Sequence, residues 1–134
     1  MADHLTYAIV CPTEEVANGE AQMVTIPGSE GMFGVLAGHA PFLTTVSQGF
    51  VLIDNGQGQV DKIHVRGGFA EVNAKGLTLV VEGAIALAGA DRKHLQSRLE
   101  HLSEAIGAAG DDEARVAPLK EERDAVEMVL SELS

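Results

Sequence analysis

The chain has no tryptophan, one cysteine, one tyrosine and four prolines in 134 residues. A lone thiol, Cys11, excludes an internal disulfide framework. Basic residues are scarce too: 9 Lys and Arg stand against 20 Asp and Glu, a formal net charge of −11. A chain so acidic is repelled by a phosphate backbone and by an anionic membrane surface, so neither nucleic-acid binding nor direct membrane insertion is expected. No apolar run approaches the roughly 20 residues of a spanning helix, and no charged stretch followed by an apolar one marks a signal peptide. What is present is a 46% hydrophobic share, too high for a disordered chain, and 15 glycines. The expectation is a soluble, folded, cytosolic domain, or a small domain with an appendage.

Up to about residue 88 the pattern has a period of two. Leu77, Leu79 and Val81 alternate with Thr78, Val80 and Glu82, and Ile63 and Val65 alternate with Lys62, His64 and Arg66. Each stretch reads as a strand with one core-facing side. Residues 54–58 (DNGQG) and 73–76 (NAKG) are rich in types that tolerate positive φ and read as hairpin turns. Further strands are expected at 5–11, 22–26, 32–36 and 50–53, and Glu14-Glu15 reads as a turn. Many short strands with turns between them predict an antiparallel sandwich or flattened barrel with no helix in this half.

After residue 88 the period becomes helical. Asp91 is the expected N-cap, Leu95, Leu99, Leu102 and Ile106 form one stripe, and Gly107 and Gly110 end it. A second stripe carries Val116, Leu119, Val126, Leu130 and Leu133, with Arg123 at one seam position. Pro118 leaves the start of this helix open between Asp112 and Ala117. Two antiparallel helices follow, and a pair with one narrow seam is expected to dock on the sandwich or on a partner.

No catalytic constellation emerges. Gly28, Gly31, Gly34 and Gly38 suggest a phosphate loop, yet there is no GxGxxG, no Gly-Lys-Ser/Thr ending and no helix to follow. His4, His39, His64, His94 and His101 are scattered without metal-ligand spacing. Cys11 lacks a nominated base, and Glu14-Glu15 and Asp111-Asp112 read as solvated turns or helix starts. The expectation is an interaction protein without metal or cofactor, rather than an enzyme.

The stretch GSEGMFGVLAGHAPFLT at 28–44, followed by VRGGFAEV at 65–72 and LTLV at 77–80, closely resembles the ε subunit of the bacterial F-type ATP synthase. The GHAP segment and the later GGF-x-EV, in that order, carry the resemblance, which extends over nearly the whole chain. It implies an N-terminal antiparallel β-sandwich at 1–88 followed by a C-terminal two-helix antiparallel hairpin at 89–134. It also implies a non-catalytic central-stalk subunit that passes c-ring rotation to the catalytic head through the γ subunit. Cys11 and the loop Gly38, His39, Ala40 and Pro41 would face γ. Ser29, Glu30, Gly31 and Met32 would face the c-ring. The hairpin would meet the α/β head, and the protein would lie peripherally on the cytoplasmic face of the inner membrane.

Three departures from the family pattern matter. Met32 stands where an acidic residue is frequent, which replaces a polar ring contact by an apolar one. Ala37 stands where proline is common before Gly-His. The third concerns regulation, since a basic second helix brakes ATP hydrolysis in many relatives. Here residues 112–134 carry seven acidic and three basic side chains, a net of −4. Asp91 remains of an ATP-sensing Asp and Arg pair, but His94 occupies the arginine position, and an imidazole does not reproduce a guanidinium fork. Weak inhibition and poor ATP binding are expected. Two other classes stand beside this reading: a small acidic cupin-like sandwich enzyme with a histidine pocket, and a free-standing adaptor with a helical docking arm.

Overall fold

The computed structural model describes residues 4–133 and divides the chain into two compact units, Met1–Ala88 and Gly89–Ser134. The first unit contains β1 (Leu5–Cys11), β2 (Glu14–Ala21), β3 (Met23–Gly28), β4 (Gly31–Leu36), β5 (Phe42–Asp54), β6 (Val60–Asn73), β7 (Gly76–Val81) and β8 (Ala84–Ala86). They form one hydrogen-bonded sheet in the order β2-β1-β7-β6-β5-β3-β4, with β8 added to β6. Neighbours among the described residues run antiparallel except β1 and β7, which are parallel from Tyr7–Leu77 to Val10–Val80. Ile9 of β1 and Leu79 of β7 share one buried cluster with Val24 and Ile26 of β3 and Val35 of β4. Strands so distant in the sheet order meet only if the sheet folds over on itself, and the result is the expected sandwich.

Two long strands make the fold-over. In β5 the core-facing buried residues are Val46 and then Val51 and Ile53; in β6 they are Ile63 and Val65 and then Ala70 and Val72. The inward set thus changes from even to odd in β5 and from odd to even in β6. A strand must change parity in this way when it leaves one layer for the other, because its opposite side then faces the core. The bend in β6 falls at Gly67 and Gly68, with φ of 96° and 146°. There β7 gives way to β8 as the neighbour: Glu82 N–H donates to the Gly67 carbonyl and Arg66 N–H to that of Gly83, each at 3.0 Å.

Both expected hairpin turns are present. Asp54 Oδ1 accepts from Gly56 N–H and Asn55 Oδ1 from Gln57 N–H, and Asn73 Oδ1 accepts from Lys75 N–H, all at 2.8 Å. Asx side chains closing on the backbone two residues ahead are what hold such tight connections. Glu14 and Glu15, expected in a turn, instead open β2 opposite Cys11 and Val10. As an end strand with one side unpaired, β2 tolerates charges that a central strand would not, so its polar sequence hides it.

The second unit is a helical hairpin, α1 (Arg92–Ala109) and α2 (Glu113–Leu133). Asp91 caps α1, its Oδ1 accepting from Lys93 N–H at 2.9 Å and His94 N–H at 3.4 Å. Gly107 does not end α1; the helix continues to Ala109, which is buried, and closes at Gly110. A single helical glycine costs only about 1 kcal/mol, less than burying the next turn returns. Asp112 starts α2, which places Pro118 in the second turn, inside the helix. The seam buries Leu95, Leu102, Val116 and Val126, while Ala125 and Val129 take the fully buried places that Leu130 and Leu133 were expected to hold. Arg98 and Glu122 clamp the pair with two hydrogen bonds of 2.6 and 2.8 Å.

Candidate binding surfaces

The loop at 38–41 is built by a turn at the end of β4. His39 N–H donates to the Leu36 carbonyl at 3.1 Å, and Gly38 supplies the positive φ of 80° that the third residue of such a turn requires. Ala37 therefore occupies the position where proline is favoured, and the turn closes without it. The His39 ring lies 4.8 Å from that of Phe42, and its Nδ1 is 2.8 Å from the Ala40 carbonyl oxygen. A carbonyl only accepts, so Nδ1 is the donor in this contact. Phe42 in turn meets Phe33 edge-on at 5.9 Å, and both pack against the core. The exposed histidine is thus braced from the interior.

Of the residues at 29–32, Ser29 and Glu30 form a two-residue turn, whereas Gly31 and Met32 are already the first residues of β4, paired with Gly28 and Pro27. Met32 is 54% exposed. This turn and the 38–41 loop occupy opposite ends of β4, whose six residues span about 20 Å.

Cys11 ends β1 half-buried against the core. Burial, and then the Glu14 carboxylate, push its thiol above the ordinary cysteine range, against a lowering by Arg66 and a hydrogen bond to the Ala84 backbone. A thiol kept protonated is a poor nucleophile. Asp91 spends its carboxylate on the amides that start α1, and His94 is exposed beside it. Among the described residues, no group of three or more His, Cys, Asp or Glu is placed to hold a metal ion, and no helix is long and apolar enough to cross a membrane.

What strand alternation alone did not single out is an apolar row on the outer face of the layer containing β1, β7, β6 and β5. Phe69 is in register with Thr45 and with Val80, and Val80 with Val10. Leu43 lies two residues from Thr45, diagonal to Phe69 and opposite the exposed Glu71, so Leu43, Phe69 and Val80, at 69%, 55% and 50% exposure, make an apolar row with one carboxylate beside it. The signal in the sequence was an apolar residue in the polar phase, as with Val80 between Thr78 and Glu82.

His64 departs from its expected place. It faces away from Ile63 and Val65, yet it is completely buried, edge-on to Phe50 at 5.1 Å, with neither ring nitrogen hydrogen-bonded. Phe50 and Ile85, its cross-strand partners, make that outer face apolar. Burial, and secondarily the Arg66 charge, hold its pKa below the ordinary 6.5. The unfolded chain takes up this proton near pH 6.5 while the folded chain resists, so stability is complete above that pH and declines as pH falls toward the folded value. Denaturation midpoints at pH 7 and pH 5 are expected to drop further for the wild type than for His64→Leu.

A family profile for the "ATP synthase, Delta/Epsilon chain, beta-sandwich domain" matches residues 4–87. The epsilon chain of Parvibaculum lavamentivorans is 37% identical over 120 residues, covering 90% of this chain and 91% of that one. That of Maricaulis maris is 43% identical over 116 residues, 86% of each. The chain belongs to the ATP synthase epsilon-chain family. Its fold also matches a chain of the Euglena gracilis mitochondrial ATP synthase, with a TM-score of 0.70, 24% identity and coverage of 100% of this chain and 84% of that one. A chain from the Tetrahymena thermophila mitochondrial central stalk and c-ring matches at a TM-score of 0.55 and 15% identity, over 96% of each. These two likenesses concern the fold; family membership rests on the sequence relatives.

Proposed function

We propose that this epsilon-family chain is a non-catalytic rotor coupler of an F-type ATP synthase, held between the γ subunit and the c-ring on the cytoplasmic face of the membrane. The observation that carries the reading is the exposed row Leu43, Phe69 and Val80 beside the 38–41 loop. An apolar surface of this kind on a chain with net charge −11 marks a docking face, and an aromatic at its centre is the usual anchor. Gly38, His39, Ala40, Pro41 and the end of β1 at Cys11 border the γ contact in this reading. Ser29, Glu30, Gly31 and Met32 meet the ring at the far end of β4, so a close-packed sandwich transmits torque between its two ends.

The hairpin is a weak brake. Its second half is acidic, and two of its four arginines stand beside carboxylates: Arg98 against Glu122, and Arg123 near Asp124 and Glu127 at 3.5 and 3.9 Å. In that half Arg115 and Lys120 remain among seven carboxylates to meet an acidic surface of the α/β head, and Asp91, engaged as a helix cap, is not free for a nucleotide. Vesicles carrying the synthase with the full chain, with a chain ending at Ala88, and with none test both points. Proton-driven synthesis is expected to need the sandwich, while removal of 89–134 is expected to raise ATP hydrolysis less than about twofold. Full synthesis without the chain defeats the coupler reading; a several-fold rise in hydrolysis on truncation defeats the weak brake.

A further inference from the structure

We propose that the groove between the 38–41 loop and the β6–β7 turn receives an acidic segment of the γ subunit; this rests on the γ reading above and adds the chemistry of the contact. The groove, of about 450 Å³, has His4, His39 and Lys75 in its walls and, among the described residues, no Asp or Glu in its lining. On a chain with more than twice as many acidic as basic residues, that local balance is an exception. It is also specific to this side of the turn, because the neighbouring groove across β1 and β7 holds Glu15 and Glu20 beside the same Lys75.

The polar groups are presented rather than consumed. Lys75 is exposed and has no ion pair among the described residues, and its backbone is held by the bond from its N–H to Asn73 Oδ1. The Nδ1 proton of His39 is committed to the Ala40 carbonyl and its ring rests on Phe42, so the edge carrying Nε2 is held in one orientation. The groove is also continuous with the apolar row. Pro41 and Val72 line it, and the next residue along β5 from the Phe42–Val72 pair is Leu43. A partner laid on Leu43 and Phe69 would therefore run an edge into the groove, where Lys75 repels a basic segment, is indifferent to a neutral one and attracts an acidic one. The −11 of the whole chain repels acidic surfaces elsewhere, so the groove fixes orientation as well as adding attraction.

Calorimetric titration of the full chain with the purified γ subunit of the same synthase, at low and at high salt, tests this. Wild-type affinity is expected to fall as salt rises. Lys75→Glu is expected to weaken low-salt binding about tenfold and to flatten the salt dependence, and Lys75→Arg to preserve both. Wild-type affinity and salt slope in Lys75→Glu, or tighter binding by that variant, would overturn the groove assignment while leaving the apolar docking face intact. No binding by the wild-type chain at either salt concentration would overturn the γ reading and this proposal together.

Discussion

Replacing Gly68 with alanine is expected to cost the sandwich about 3–5 kcal/mol, enough to leave a domain of ordinary stability largely unfolded near its working temperature. The methyl group would overlap the carbonyl oxygen of Val80 and stand 2.8 Å from the Val81 α-carbon. All of these are backbone atoms, so no rotamer change relieves the clash. The φ of 146° adds strain of its own, since an L side chain seldom occupies that region. The bend cannot move to accommodate it, because β6 must change layers there and the Glu82 to Gly67 and Arg66 to Gly83 hydrogen bonds close on the same residues. Gly107→Ala is the natural comparison: its added methyl meets nothing within 4 Å on an exposed face of α1, and the change is expected to stabilise the helix by about 0.5–1 kcal/mol. Urea denaturation of both variants checks the pair. A loss below about 1 kcal/mol for Gly68→Ala would mean that the bend is softer than its geometry states.

The same bend explains what could and could not be read from the sequence. Stretches that keep one parity were legible: β1 over its full length, and the Leu77, Leu79 and Val81 face of β7. β5 and β6 were recognised only as fragments because their inward set switches sides part-way along, and a period-two reading loses phase at Gln48 and at Gly67. β2 was hidden by Glu14, Glu15 and Glu20, which an end strand accepts. In the hairpin, the 3.6-residue period located Leu95 and Leu102 but was one residue out at Val129, since an apolar neighbour such as Leu130 fits the same stripe almost as well. The GHAP loop was visible as a motif because its turn is local. The groove beside it was not, because His4, His39 and Lys75 are brought together only by the sheet.

Phe69→Asp is expected to weaken association with the γ subunit a hundredfold or more while leaving the sandwich folded. Phe69 is 55% exposed and points away from the core, so a carboxylate there remains solvated in the isolated chain. In the complex the same carboxylate would be desolvated at the centre of an apolar contact, at a cost of several kcal/mol, and each 1.4 kcal/mol is tenfold in affinity. Phe69→Ala removes the anchor without adding a charge, so a loss of roughly tenfold is expected from it. Val60→Asp serves as the control: Val60 is similarly exposed at 49%, but it lies at the start of β6, before the strand passes into the layer that carries the row. The two aspartates add the same charge to the chain, so any general electrostatic repulsion weakens both equally. A hundredfold difference between them would locate the γ contact on the Phe69 face, and equal losses would show that net charge alone, without that face, governs association.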